Sequence, residues 1–349
     1  MIIQWWVMSN HPWTKTALDI RIWAEELEDF VPFEVFDVHT HLHDWSHYKE
    51  PSKSHGPYAS TIGRHFPRAT RAIADAVDAS LMPGRKVDRL SFPYPYPQPV
   101  DVSSANSLIA TEMADAPASA GLMLVQPDMT TGQIRKTLRQ TGMIGLKPYL
   151  VYARKSTPAN ARITDFLPEP QIALADELGL IIMMHLSKRD AVADPDNIRD
   201  ILILTERYPN AKWILAHCAR SYSAWAIEAA ASALRGLPNV WYDTSTVCEA
   251  DALDALYTGI GVDRVMYGSD DLIGPMRGKY IAFGRAWSLL HADNQSLSLG
   301  HCEPGMTFIR YEQLRAMKRG ARQIGLTQQE RKSLFHDTAR ALIDSVPRG

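Results

Sequence analysis

Short apolar runs alternate along the chain with longer amphipathic ones, the rhythm of repeated strand–helix units. From residue 117 onward the alternation is nearly unbroken. Gly121–Val125, Met143–Lys147, Leu180–Met184, Trp213–Ala216, Val240–Asp243 and Val265–Tyr267 read as strands. Leu180–Met184 carries no polar residue, as expected of a parallel strand covered on both faces. Helices are predicted between them at Thr131–Thr141, Pro168–Leu178, Asn197–Tyr208, Ser223–Leu234 and Asp251–Tyr257. Proline opens the second of these, in a first turn that needs no N–H, and Gly179 ends it. The first half is looser. A helix over Lys15–Glu28 precedes a strand at Phe33–Val38, and a helix over Ala69–Ser80 leads to a strand at Val87–Phe92. Pro93–Pro97 cannot continue a sheet, because proline donates no hydrogen bond, and Ala105–Met113 is helical. Trp45–Arg68, rich in His, Pro and Tyr, is expected to lie over the mouth of the fold. Past Asp271 the pattern predicts helices at Phe283–Leu290, Tyr311–Ile324 and Gln328–Ile343.

Consecutive units of this kind close into a barrel or spread into an open sheet. A chain of 349 residues falls within the span of about 200 to over 400 residues seen for single barrels. Hydrophobic residues at 46% and charged residues at 22% give an ordinary globular balance. The net charge of −2 offers no electrostatic argument for nucleic acid or an acidic membrane surface. No run reaches the ~18 apolar residues of a membrane span. Cys218, Cys248 and Cys302 form no CxxC, so a reduced cytoplasm fits better than a disulfide framework. Met1–Met8 is apolar but lacks a basic leader region. Trp5 and Trp6 are expected to pack against the body or a second subunit, which makes homo-oligomerisation an expectation.

The candidate chemistry sits where apolar strands end. His39 and His41 close the first strand, and side chains at i and i+2 share a face. His185 follows Leu180–Met184, His217 follows Ala216, and Asp270 lies just past Tyr267. In a parallel barrel all these ends meet on one rim. A lone His at a strand end is more often structural, and an Asp there is usually a helix cap. Their conjunction is a suitable set of ligands for a divalent metal such as zinc, which brings bound water near neutral pKa. His43 and His47 read as loop residues or substrate contacts, and His11, His55, His65, His291, His301 and His336 as structural.

The stretches Phe36-Asp37-Val38-His39-Thr40-His41, Met183-Met184-His185, Leu215-Ala216-His217 and Met266-Tyr267-Gly268-Ser269-Asp270 resemble the amidohydrolase superfamily. The likeness is stronger to its amidohydrolase 2 branch, which includes aminocarboxymuconate-semialdehyde decarboxylase-like and dicarboxylate lactonase-like enzymes, and it covers about residues 33 to 345. The resemblance implies an α/β fold, a single (β/α)8 TIM barrel over 33–349, with an N-terminal extension over 1–32 and C-terminal helices. It implies one divalent metal ion, zinc or else manganese, bound by His39, His41, His185 and Asp270. Asp270 would also take a proton from water. His217 would face the substrate, or join a second metal. Lys147 would contact substrate or pair structurally, rather than serve as the carboxylated lysine that bridges two metals in some members.

Where many relatives have glycines after His217, this chain has Cys218-Ala219-Arg220-Ser221-Tyr222. Arg220 offers a bidentate fork for a carboxylate, and Tyr149 joins Lys147 and Arg220 as a substrate-binding candidate. Arg154, Lys188 and Arg189 strengthen the case for a small anionic substrate. Cys218 is expected to pack rather than bind metal, since strand neighbours face opposite ways. Tyr242 and Asp243-Thr244 read as supporting residues or a loop cap. The reading that follows is a metal-dependent hydrolase of a lactone, amide or related carbonyl group, with non-oxidative decarboxylation of an unsaturated or aromatic acid as the alternative. A non-catalytic or metal-free barrel, a binding or assembly protein that keeps the rim as a relic, is a third reading, against which the complete set of His39, His41, His185, His217 and Asp270 speaks; an isomerase of an anionic sugar would use the same rim.

Overall fold

The computed structural model describes residues 11–48, 66–95, 99–154, 156–291, 301–302 and 305–347. Eight parallel strands among them follow one another around a barrel. They are β1 (Glu34–Asp44), β2 (Lys86–Pro93), β3 (Ala120–Gly121 and Met123–Val125), β4 (Gly145–Pro148), β5 (Ile181–Met184), β6 (Lys212–Leu215), β7 (Val240–Asp243) and β8 (Val265–Met266). Parallel registers join β1 to β2, β2 to the start of β3, and β3 through to β8 in sequence order. β3 is continuous across its break, because Leu122 N–H donates to Ser91 O (2.9 Å) and Ile144 N–H to Gly121 O (3.0 Å). Closure comes from the other seam. Val38 N–H donates to Tyr267 O (3.0 Å), Asp270 N–H to His39 O (2.9 Å), and Thr40 pairs in parallel with Asp271. The sheet therefore has no open edge there.

Local chemistry places the outer helices. Thr130 and Gln133 form a capping box at the start of Thr131–Thr141, and Gly142 ends that helix at φ +67°, a conformation that favours glycine. Asp194 caps Pro195–Arg207, whose proline sits in the first turn. Every residue of β5 is buried, with helices on one side and the barrel interior on the other. The Lys15–Glu28 helix is shorter than expected, an α-helix over Ala17–Ile22 running into a π-turn over Trp23–Leu27. None of the described helices is long and apolar enough to cross a membrane.

Three differences from the sequence expectation bear on the site. β1 runs past Val38 to Asp44, so His43 belongs to the strand rather than a loop; its Nε2 lies 2.8 Å from Phe66 O. β1 also bulges between Asp37 and Thr40, where two of its residues face one of β2, and His39 stands in that bulge. The helix expected at Phe283–Leu290 is instead half of an antiparallel hairpin, Gly278–Phe283 paired with Ala286–His291. Gly284 opens its two-residue loop at φ +60°, which a side-chain-bearing residue disfavours. Trp5, Trp6, His55, His65, most of the Trp45–Arg68 stretch and the end of Pro93–Pro97 lie outside the described residues.

Candidate metal centre

His39 is wholly buried, with its Nδ1 3.0 Å from Asp243 Oδ2 and 3.2 Å from Ser245 Oγ. Burial pushes its pKa down to about 3 despite the Asp243 charge, so the ring is neutral at pH 7. A carboxylate only accepts, so the proton sits on Nδ1 and Nε2 presents a lone pair. That Nε2 is buried without a hydrogen-bond partner and faces Asp270 Oδ1 at 3.6 Å. A lone pair facing a carboxylate oxygen is repulsive unless a cation stands between them. Gly268 makes the approach of strands feasible, since a Cβ there would lie 2.8 Å from that of His39.

Asp243 ends β7 and serves several donors. Besides His39 it accepts from the backbone N–H groups of His217 and Ser245 (3.0 Å each) and from the Ser245 hydroxyl. Burial alone would raise its pKa. The His39 and His217 rings and the Ser245 hydroxyl outweigh burial and hold it below the usual carboxylate range. Asp270 behaves alike: burial is outweighed by the hydrogen bond from His41, whose Nε2 is 3.1 Å from Oδ1, and by the electrostatic pull of the His39, His217 and His41 rings.

His217 follows β6 in an unusual way. His217, Cys218, Ala219 and Arg220 all have left-handed backbones, with φ of 57°, 51°, 57° and 60°. Such conformations cost L-residues about 1–2 kcal/mol each and rarely occur in succession. Cys218 is buried packing, as expected, but because of this turn rather than strand alternation. His217 Nδ1 lies 2.9 Å from Ser245 O, which fixes its proton there and turns Nε2 inward. Nε2 is 2.8 Å from Nε2 of His185, so a proton or a cation stands between the two rings. Each of two overlapping sets, His39 with His185 and His217, and His39 with His41 and Asp270, brings one donor atom per residue within 4.8 Å of the others.

Lys147 on β4 is wholly buried, and its Nζ has no hydrogen-bond partner among the described residues. The ammonium lies 4.2 Å from the Phe92 ring centre, and Phe92 packs against both His39 and His41 at 5.0 Å. Burial pushes its pKa down to about 7, against the opposing pull of Asp243 and Asp270. Tyr149 stacks on His185 at 5.7 Å and donates its hydroxyl to Pro93 O (2.7 Å). Arg220 Nη1 donates to the carbonyls of Leu186 (3.2 Å) and Lys188 (2.9 Å). Arg154 and Lys188 are paired elsewhere, with Asp128 (2.8 Å) and Asp196 (3.3 Å).

Sequence reasoning noticed Asp243 only as support, and missed Ser245 as the group that orients His217. It also missed an aromatic wall. Tyr222, stacked on His217 at 5.8 Å, meets Tyr280 at 4.8 Å and Trp287 at 4.2 Å, the last two brought in by the hairpin. The signal was the alternating pattern on either side of Gly284.

The amidohydrolase family model matches residues 36–344. No curated protein matches the chain. Among solved structures, the chain is similar to 5-carboxyvanillate decarboxylase from Novosphingobium aromaticivorans, complexed with manganese (15% identity, TM-score 0.54, 95% of this chain and 100% of that one). It is also similar to a protein assigned as a 2-pyrone-4,6-dicarboxylic acid hydrolase from Pseudomonas putida (15%, 0.53, 90% and 98%). A third is 4-oxalomesaconate hydratase from Rhodopseudomonas palustris (17%, 0.53, 88% and 95%). At these identities the likeness establishes the barrel fold and no particular reaction.

Proposed function

The chain belongs to the amidohydrolase family, and from that premise we propose that it is a metal-dependent hydrolase of a lactone, amide or related carbonyl bond in a small carboxylated substrate. The observation that carries this reading is the buried, partnerless Nε2 of His39 facing the Asp270 carboxylate. His39, His41, His185 and Asp270 would hold one divalent ion, zinc or manganese. Bound there, the ion supplies Lewis acidity and an acidified water. Asp270, kept ionised by its imidazole neighbours, accepts the proton of the attacking water and passes it to the leaving group. His217 already spends its Nδ1 proton on Ser245 O, so it donates to the developing oxyanion only when Nε2 is also protonated. Arg220 has no carboxylate partner among the described residues and suits a substrate carboxylate. Lys147, against the Phe92 ring, and Tyr149, stacked on His185, would add further contacts to that substrate.

A second reading, non-oxidative decarboxylation of an unsaturated or aromatic acid, is favoured by the wall of Tyr222, Tyr280 and Trp287, which suits a flat ring. Products separate the two: carbon dioxide released without consumption of water marks the decarboxylase. The test of the metal centre is elemental analysis of the purified protein beside His39→Ala and Asp270→Asn. One equivalent in the wild type and little in either variant is expected. A His39→Ala protein with full metal and full activity would refute the assignment.

A further inference from the structure

Asp270 is aimed by a strained backbone. Its φ is +56°, and Leu272 two residues on has φ +97°. The turn is closed by Ile273 and Gly274, whose N–H groups donate to Asp270 O at 2.9 and 3.0 Å. Between them lies Asp271, buried and without a role in the reaction proposed above. Its carboxylate is gripped by Nη2 of Arg310, which comes from the helix Ile309–Gln323 near the end of the chain. Arg310 is wholly buried and is itself anchored twice. Nη1 donates to Asp78 Oδ1 (2.5 Å), and its backbone N–H to Gly274 O (2.9 Å). Asp78 is held in turn by Arg89 Nη2 (2.6 Å) from β2. Alternating charges thus run from β2 through the helix Arg71–Leu81 to the turn that carries Asp270. Gly274 leaves no slack, since a Cβ there would lie 2.9 Å from Ser269 O and 3.3 Å from Asp271 Oδ1.

We propose that Arg310 is a positioning residue of the metal centre: by holding Asp271 it fixes the left-handed turn that aims the Asp270 carboxylate at His39 and His41. The inference rests on the metal reading of that site. A guanidinium spans two carboxylates with two nitrogens in one plane, whereas a single ammonium does not, so charge and geometry are separable by substitution. Residues outside the ligand set that orient ligands typically alter metal affinity about ten- to a hundred-fold when removed.

The experiment is titration of metal-free protein with Co2+, read by its visible absorption, with the melting temperature of each metal-free variant recorded alongside. Arg310→Lys keeps the charge and is expected to bind Co2+ about ten-fold more weakly with a changed spectrum. Asp271→Ala is expected to do the same. Asp271→Asn, whose amide oxygen still accepts from Arg310, is expected to stay near the wild-type affinity. Wild-type affinity and spectrum in Arg310→Lys would overturn the proposal. Should that variant not fold, equal cobalt affinity in Asp271→Ala and Asp271→Asn would overturn it instead. A wild-type protein that binds no Co2+ would overturn the metal reading, and this proposal with it.

Discussion

Lys147 shows how much one residue's meaning depends on its surroundings. In sequence it is a polar letter at the end of a strand; in the barrel it is an ammonium without a hydrogen-bond partner, pushed down to about 7 by burial. Unfolded, it titrates near 10.5. Between about pH 7 and 10.5 the unfolded chain therefore holds a proton that the folded one lacks, and stability rises with pH across that window. Below pH 7 both states are charged, and the penalty of burying the ammonium is fully present. Metal-free Lys147→Met should accordingly melt higher than wild type at pH 6, with the gap closing toward pH 10. A gap independent of pH in paired thermal melts would show that the amine is not titrating there. Asp243 offers a second expectation at this scale. Asp243→Asn removes the charge that sets the His39 proton, and should weaken metal affinity about ten- to a hundred-fold in a chelator competition.

At the scale of elements, three departures from regular geometry build the site. The bulge in β1 re-aims His39, the left-handed turn after β6 carries His217 and Arg220, and the hairpin after β8 brings Tyr280 and Trp287 to the wall. None has a strong local signature. The apolar positions of Ala286–His291 satisfy a helical period as well as an alternating one, and only Gly284 argues for the turn of the hairpin. The left-handed turn contains no glycine, the residue that ordinarily announces such a backbone. It gives a direct test. Ala219→Gly relieves the backbone and loses one buried methyl, so its stability should stay within about 1 kcal/mol of wild type. Ala219→Val places a β-branched side chain in the same conformation and should cost markedly more. Denaturant titrations of the two variants compare them directly, and equal losses would mean that the turn is not left-handed in solution.

For the whole molecule, the barrel closes where the proposed ligands are. The hydrogen bonds of Val38 with Tyr267 and of Asp270 with His39 join the first strand to the segment after the last one. The proposed ligands thus come from both sides of the closing seam and, with His185, from the end of strand five opposite. A cation bound by all of them staples the ring of strands, and binding that favours the folded state adds stability by mass action. At a hundred times its dissociation constant, a metal adds about 2.7 kcal/mol. The melting temperature of the metal-free protein should rise on adding Zn2+ or Mn2+ and fall back with a chelator. His39→Ala should show no such rise.

What the sequence determined by itself was periodic or punctual: the alternation of strands and helices, and the His and Asp residues that interrupt apolar runs at strand ends. Both are local properties, set by side-chain spacing against a backbone of known repeat. The tertiary structure alone decided which nitrogen of the His39 and His217 rings faces inward, because that depends on Asp243 and Ser245, distant in sequence from both. It decided that Lys147 lies dry against Phe92, and that Arg310 from the last third of the chain grips the neighbour of Asp270. Such properties belong to pairs of residues brought together by closure of the barrel, and no pattern along one strand encodes its partner.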